Sequence, residues 1–345
     1  MRAVRVLICE DSPTYAVALQ RLLEYGGGIT VAAICTTAEE AMSALASVEP
    51  DLVTMDLNLP GMDGLAAVEE IMSAHPLPIL VLFGRVGTRS DRAAAALAAG
   101  ALDAVAKDDL DLLNPGGAAG EVFRHRVKVL SRARVIRHPR ARLAGLPRLP
   151  ALARHAAVIG VSASTGGPQI LARMLEALPA DYPIPLLVVQ HIADGFTDGL
   201  VSWLDRTVRL PVRIAAQGTR ADPGVWIAPE GAHLRLDATG RLSLDATTVS
   251  GRHRPSGDVL LSSIATAAGK LGVAVVLTGM GSDGAAGAAA VRQSGGLAIA
   301  QDEQSSAVYG MPKAAVDLGV EIVLSPAEIT AGLLGLQHEP LPGAQ

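Results

Sequence analysis

The chain has 345 residues, half of them hydrophobic and only 3% aromatic, and a formal net charge of −5 at pH 7. That length exceeds what one hydrophobic core sustains and predicts two domains, while the acidic balance argues against a nucleic-acid binder. No apolar run approaches the ~18–20 residues of a membrane span, so membrane insertion is not expected. The two cysteines, Cys9 and Cys35, lie inside apolar segments and no signal-type start precedes them, which predicts a reduced, cytoplasmic setting.

In the first 134 residues, apolar runs at Val4–Cys9, Thr30–Ile34, Leu52–Met55, Ile79–Phe83 and Ala104–Ala106 alternate with helical patterns. Such alternation predicts a doubly wound parallel sheet, with functional residues at the carboxyl ends of the strands. That edge carries Glu10 and Asp11 after the first strand, Asp56 after the third and Lys107 after the fifth. Three carboxylates together repel one another unless a cation joins them, and Mg²⁺ suits a site of few carboxylates plus waters. The backbone carbonyl of Asn58, in the Leu57-Asn58-Leu59-Pro60-Gly61-Met62-Asp63-Gly64 loop, can complete the coordination. Lys107 can pair with a phosphoryl oxygen.

These residues resemble the receiver domain of response regulators. The resemblance implies a flavodoxin-like fold, Asp56 as phosphoacceptor, Glu10 and Asp11 as Mg²⁺-binding acids, Lys107 as phosphoryl partner and a CheA-type histidine kinase as phosphodonor. Two positions depart from the pattern. Glu10 stands where most receivers carry Asp, which still presents a carboxylate. Phe83 or Gly84 stands at the switch position after the fourth strand, where Ser or Thr is usual. Neither offers a hydroxyl, so the coupling of phosphorylation to activity is expected to be weakened or altered.

From Glu121 to Arg154, ten Lys or Arg accompany one acid. The segment begins as an amphipathic helix, the last of the first domain, and continues past Pro139, Pro147 and Pro150 as an extended connection. It reads as a solvated basic face, with an acidic partner segment as the sharper alternative. The boundaries that follow are a first domain over 1–134, a basic, proline-containing linker over 135–155, a second domain over 156–337 and a tail over 338–345.

The second α/β pattern has strand candidates at Ala156–Val161, Leu186–Gln190, Val273–Leu277, Leu297–Ala300 and Glu321–Leu324. A small β insertion is predicted from Val212–Ala215, Val225–Ala228, His233–Leu236 and Leu242–Leu244. After the first strand, Ser162-Ala163-Ser164-Thr165-Gly166-Gly167-Pro168 leads into a helical pattern over Gln169–Leu178. Backbone N–H groups at such a corner stay unpaired and suit an anion. The corner alone fits a catalytic serine, a phosphate loop or a plain turn. The second strand runs into His191. The third ends in Thr278-Gly279-Met280-Gly281-Ser282-Asp283-Gly284, a literal G-x-G-x-x-G between strand and helix with Asp302 beyond, as in a dinucleotide fingerprint. Asp283, however, would face the pyrophosphate, and two unit charges at ~4 Å in an effective dielectric near 20 repel by about 4 kcal/mol. A hydrolase explains the same residues better. A hydroxyl nucleophile needs a base, and the base needs a carboxylate, which Ser164, His191 and Asp283 supply from one sheet edge. Glycines around Met280 leave its N–H to help bind an oxyanion.

This half resembles the catalytic domain of the chemotaxis protein-glutamate methylesterase (CheB) family, in Ser164–Pro168, Gln190-His191, Gly195-Phe196-Thr197, Ile227-Ala228-Pro229, Arg252–Ser256, Thr278–Gly284 and Tyr309–Pro312. The resemblance implies a Rossmann-like three-layer domain and Ser164, His191 and Asp283 as triad, with Thr165 and Met280 near the oxyanion. It implies esterase chemistry that needs no cofactor, methyl-accepting chemoreceptors as substrate, and deamidation of receptor glutamines. Arg252, His253 and Arg254 are candidate contacts to acidic receptor side chains.

Overall fold

Strands buried on both faces need helices on both faces, and the two apolar, alternating halves of this chain meet that need separately. A computed structural model describes residues 2–84, 89–133, 135, 155–247 and 253–341, and divides the chain into two compact units between Pro139 and Arg140. Most of the basic linker therefore lies outside the described residues. Among them, no helix is long and apolar enough to cross a membrane.

The first unit runs β1 (Val4–Cys9), α1 (Pro13–Glu24), β2 (Ile29–Cys35), α2 (Ala38–Val48), β3 (Leu52–Asp56), α3 (Gly64–Ala74), β4 (Ile79–Phe83), α4 (Arg89–Ala99), β5 (Asp103–Ala106) and α5 (Ala118–Leu130). Its five strands are all parallel, in the order β2-β1-β3-β4-β5. Ser12, Thr37 and Asp63 cap the first three helices with their side chains, so each turn out of a strand end is fixed by a short polar residue. Both β3 and β4 are buried along their whole length, which brings Asp56, the last residue of β3, into the interior rim of the sheet.

The second unit follows as β6 (His155–Ala156), β7 (Val158–Ala163), α6 (Gly167–Glu176), β8 (Leu186–Gln190), α7 (Thr197–Thr207), β9 (Val212–Ile214), β10 (Val225–Ile227), β11 (His233–Leu236), β12 (Leu242–Asp245), α8 (Gly257–Ala268), β13 (Gly272–Val276), α9 (Ala285–Gln293), β14 (Leu297–Gln301), α10 (Met311–Asp317), β15 (Ile322–Leu324), α11 (Pro326–Leu334) and β16 (Gln337–His338). Seven strands form one parallel sheet, ordered β15-β14-β13-β7-β8-β10-β9. The order reverses at β7, and β13 and β8 flank it. The crevice at such a reversal is where parallel sheets place their sites.

The sequence-predicted β insertion is smaller than expected. Strands β9 and β10 extend the main sheet beside β8, and only the β11–β12 hairpin stands apart, antiparallel. Three-residue apolar runs announce strands without saying which neighbour they pair with. The hairpin is tied to α8 where the Leu236 N–H donates to Ser263 Oγ at 2.9 Å. The segment expected to be a tail is also partly structured: β16 pairs with β6, the Glu339 N–H donates to the Ala156 carbonyl and Leu341 is buried.

Candidate active site

Strand β7 ends at Ala163, and Ser164 opens the turn into α6. The Ser164 N–H donates to the Thr278 carbonyl at 3.0 Å, and its carbonyl accepts from the Gly167 N–H and from Gln190 Nε2, both at 2.8 Å. The serine backbone is thus pinned from β8 and from the loop after β13. A Cβ at Gly279 would sit 2.6 Å from Ser164 Cβ, so that loop can approach the serine only as glycine. In the β7–β8 register Ala163 lies opposite Gln190, and the His191 N–H donates to the Ala163 carbonyl at 2.9 Å. Ser164 and His191 therefore leave adjacent strand ends side by side.

Asp283 takes the imidazole edge: His191 Nε2 and Asp283 Oδ2 are 2.7 Å apart, with both side chains about a tenth exposed. The carboxylate is surrounded by donors. Ser256 Oγ donates to Oδ1 at 2.7 Å, the Gly257 N–H to Oδ2 at 2.6 Å and the Asp258 N–H to Oδ1 at 3.1 Å. Burial pushes the Asp283 carboxyl upward, but the His191 and Ser256 hydrogen bonds outweigh it and hold the group well below the usual carboxylate range. With its proton on Nε2, the neutral imidazole keeps a lone pair on Nδ1, which is buried and makes no hydrogen bond. An imidazole oriented by a carboxylate, with a vacant basic nitrogen and a strand end that adjoins the serine's, can take a proton from a hydroxyl brought to it.

The same contacts answer the dinucleotide alternative. Asp283 occupies the N-terminal amides of α8, and Asp258 Oδ1 accepts the Gly287 N–H of α9 at 2.9 Å. Burial and the nearby Asp283 push the Asp258 carboxyl up against its backbone hydrogen bonds. A carboxylate of the chain itself, Asp258, therefore already fills the start of α9, the helix end that a pyrophosphate would use. At Gly284 (φ +91°), where the loop enters α9, a Cβ would also lie 2.6 Å from the Ser162 side chain.

On the other side of Ser164, Thr278 Oγ1 donates to the Thr165 carbonyl at 3.0 Å and accepts the Val308 N–H at 3.0 Å, and the Gly279 carbonyl accepts the Met311 N–H at 2.9 Å. The Thr278 N–H donates to Gln301 Oε1 at 2.8 Å. Thr165 is buried and Met280 half-buried at this rim. Of the three candidate substrate contacts, Arg252 lies outside the described residues. Arg254 donates from Nη1 to the Ala246 carbonyl at 2.8 Å, and exposed His253 stacks on the His191 ring, centroids 4.2 Å apart and planes 17° from parallel.

Two supporting residues escape a reading of the sequence. Ser256 shows only a helix-start signal there, because its partner lies 27 positions away. Glu230 accepts the Gly195, Phe196 and Thr197 N–H groups and Thr197 Oγ1 at 2.7–3.0 Å, anchoring the segment that follows His191. Burial raises its carboxyl, and those four donors bring it below the ordinary value.

In the first unit, ligand oxygens of Glu10, Asp11 and Asp56 lie within 4.8 Å of one another. Lys107 Nζ reaches Glu10 Oε2 at 2.6 Å and Asp56 Oδ2 at 2.8 Å, and sits 4.5 Å from the Tyr15 ring centroid. Burial, then Asp56, push Glu10 above its ordinary value against the pull of Lys107. Burial works to lower the Lys107 ammonium, and the two acids raise it on balance. Hard oxygen donors whose mutual repulsion a cation would relieve fit Mg²⁺. The Asn58 N–H donates to Asp56 Oδ1 at 3.1 Å, and Arg92 of α4 donates to the Leu57 carbonyl and Asn58 Oδ1 and pairs with Asp63. Phe83 is the last residue of β4, buried and opposite Ala106, one position before Lys107; Gly84 follows outside the strand.

Residues 159–333 match the family model described as CheB methylesterase, and residues 6–114 match the response regulator receiver domain. The chain is 43% identical over 320 residues to protein-glutamate methylesterase/protein-glutamine glutaminase 3 of Myxococcus xanthus, covering 92% of this chain and 89% of that one. Protein-glutamate methylesterase/protein-glutamine glutaminase 2 of Anaeromyxobacter dehalogenans is 42% identical over 340 residues, 96% of each. Among solved structures, the Thermotoga maritima CheB methylesterase catalytic domain matches with a TM-score of 0.50 and 38% identity, covering 52% of this chain and 97% of that one.

Proposed function

The chain belongs to the CheB family of protein-glutamate methylesterases/protein-glutamine glutaminases with a receiver domain, and from that premise we propose that it hydrolyses glutamate γ-methyl esters on methyl-accepting chemoreceptors. The same site would deamidate receptor glutamines, and the protein would act in the cytoplasm in adaptation of a chemotaxis-type pathway.

The observation that carries this reading is the 2.7 Å His191–Asp283 hydrogen bond, which leaves Nδ1 without a partner on an imidazole whose strand end adjoins that of Ser164. Ser164 Oγ attacks the side-chain carbonyl carbon while His191 Nδ1 takes the hydroxyl proton, and Asp283 stabilises the resulting imidazolium through Nε2. The Met280 N–H, with Thr165 nearby, bears on the developing oxyanion. His191 returns the proton to the methoxy oxygen and methanol leaves. Water then attacks the acyl-serine, His191 takes its proton and returns it to Ser164, and glutamate is released. With a glutamine side chain the leaving group is ammonia.

In the receiver, Glu10, Asp11, Asp56 and the Asn58 carbonyl would hold Mg²⁺, with Asp56 as the phosphoacceptor for a CheA-type histidine kinase and Lys107 as partner to the phosphoryl group. A bound Mg²⁺ supplies charge neutralisation for phosphoryl transfer. Phosphorylation is proposed to raise esterase activity, through a coupling that Phe83 alters. The test is methanol release from methylated receptor membranes by the full chain, with and without phosphodonor. Turnover that rises with phosphodonor in wild type, but not in Asp56→Asn, is the expected result. No methanol from wild type under either condition would remove the reading.

A further inference from the structure

Asp283 fixes one edge of the His191 imidazole, but a single edge contact leaves the ring free to tilt about the bond to the carboxylate. The face is held by something else. His253 lies 4.2 Å from it at 17°, a stack brought there by the segment that leads through Ser256 into α8. The stretch that supplies the face contact thus also holds the edge group in place, since Ser256, Gly257 and Asp258 bind the Asp283 carboxylate only a few residues later.

We propose that His253 is a positioning residue for the esterase reaction, its ring face holding the plane of His191 so that Nδ1 can meet the serine hydroxyl. This rests on the functional reading above and deepens it. Two physical effects combine. Stacked planar rings prefer this near-parallel geometry and lose little side-chain freedom in keeping it. When His191 takes the serine proton it becomes a cation against a polarisable ring face, an attraction greater in the transition state than in the resting enzyme. A residue acting this way changes kcat. A residue that only grips an acidic receptor side chain would change KM.

The experiment compares His253→Ala, His253→Phe and His253→Gln in the full chain, with methanol release from methylated receptor membranes as readout. Because His253 is exposed, the variants should keep the wild-type melting temperature. Expected is a kcat lower by about tenfold in His253→Ala with KM within about twofold, the scale of a lost ring stack plus some misorientation. His253→Phe, which keeps a flat face without hydrogen bonding, should recover most of that loss, whereas His253→Gln, which keeps hydrogen bonding without a ring, should not. Wild-type turnover with an unchanged kcat in His253→Ala overturns the proposal. So does a loss confined to KM, or rescue by Gln and not Phe, each of which makes His253 a substrate contact. No turnover in wild type would instead remove the functional reading beneath it.

Discussion

Each half of this protein buries an aspartate at a strand-end rim and treats its charge differently. Asp56, 2% exposed, is answered by a lysine and shares its site with Glu10, 1% exposed, so full charges sit against full charges. Asp283 is answered by an imidazole edge, a serine hydroxyl and two amides at the start of α8, which are fixed dipoles. Charges held by other charges can be redistributed when an ion or phosphoryl group arrives, which suits a switch. A carboxylate held by fixed dipoles cannot easily change state, which suits a preorganised catalytic site.

The sharpest way to break this contrast is to neutralise Asp283. Asp283→Asn keeps the shape of the group but presents an amide to His191 Nε2 and favours the wrong tautomer, so kcat should fall by about 10³–10⁴ with the fold retained. Steady-state methanol release beside a thermal melt measures both, and a fall under tenfold would make Asp283 merely structural. Lys107→Ala attacks the other site. It leaves Glu10 and Asp56 buried without a counter-charge and should cost on the order of 3 kcal/mol in urea unfolding without divalent cation, much of it restored by Mg²⁺. Equal stability with and without Mg²⁺ in that variant would argue against a cation site there.

A smaller effect is expected of Ser256→Ala, which removes one donor of the Asp283 cradle and leaves three. A hydrogen bond to a charged group is worth about 1.5–3 kcal/mol, and the helix amides compensate in part, so kcat should drop roughly tenfold. The smallest effect lies in acid stability, and it has opposite signs at the two sites. Asp283 has a lowered folded-state value, so its contribution is present above the ordinary carboxylate range and is lost as pH falls below about 4. Glu10 has a raised one, so its contribution is full below that range and declines as pH rises through the folded value. Asp283→Asn should therefore flatten the acid loss of stability, and Glu10→Gln should remove the decline that sets in as pH rises above the ordinary carboxylate range. Denaturant midpoints across that range, without divalent cation, test both.

How far the sequence reveals this molecule follows from the range of each interaction. Strand-end acids, the Ser164 corner and His191 are local facts, and the five strands of the first sheet stand close to where apolar runs predict them. Pairing is not local: β9 and β10 read as part of an insertion because nothing in Val212–Ile214 or Val225–Ile227 names β8 as a neighbour. Likewise Ser256 and Glu230 act on groups 27 and more than 30 positions away, where only the fold brings them. Phe83 is visible as a missing hydroxyl, while the Arg92 contacts to the loop after Asp56 depend on how α4 packs.

The central claim is that Ser164 and His191 work as one unit, and a double-mutant cycle on methanol release by the full chain tests it most directly. Residues of one relay are strongly non-additive, so Ser164→Ala, His191→Ala and the double variant should all fall to about the same residual rate. Two losses that multiply, or a Ser164→Ala variant that still turns over near the wild-type rate, would contradict the account.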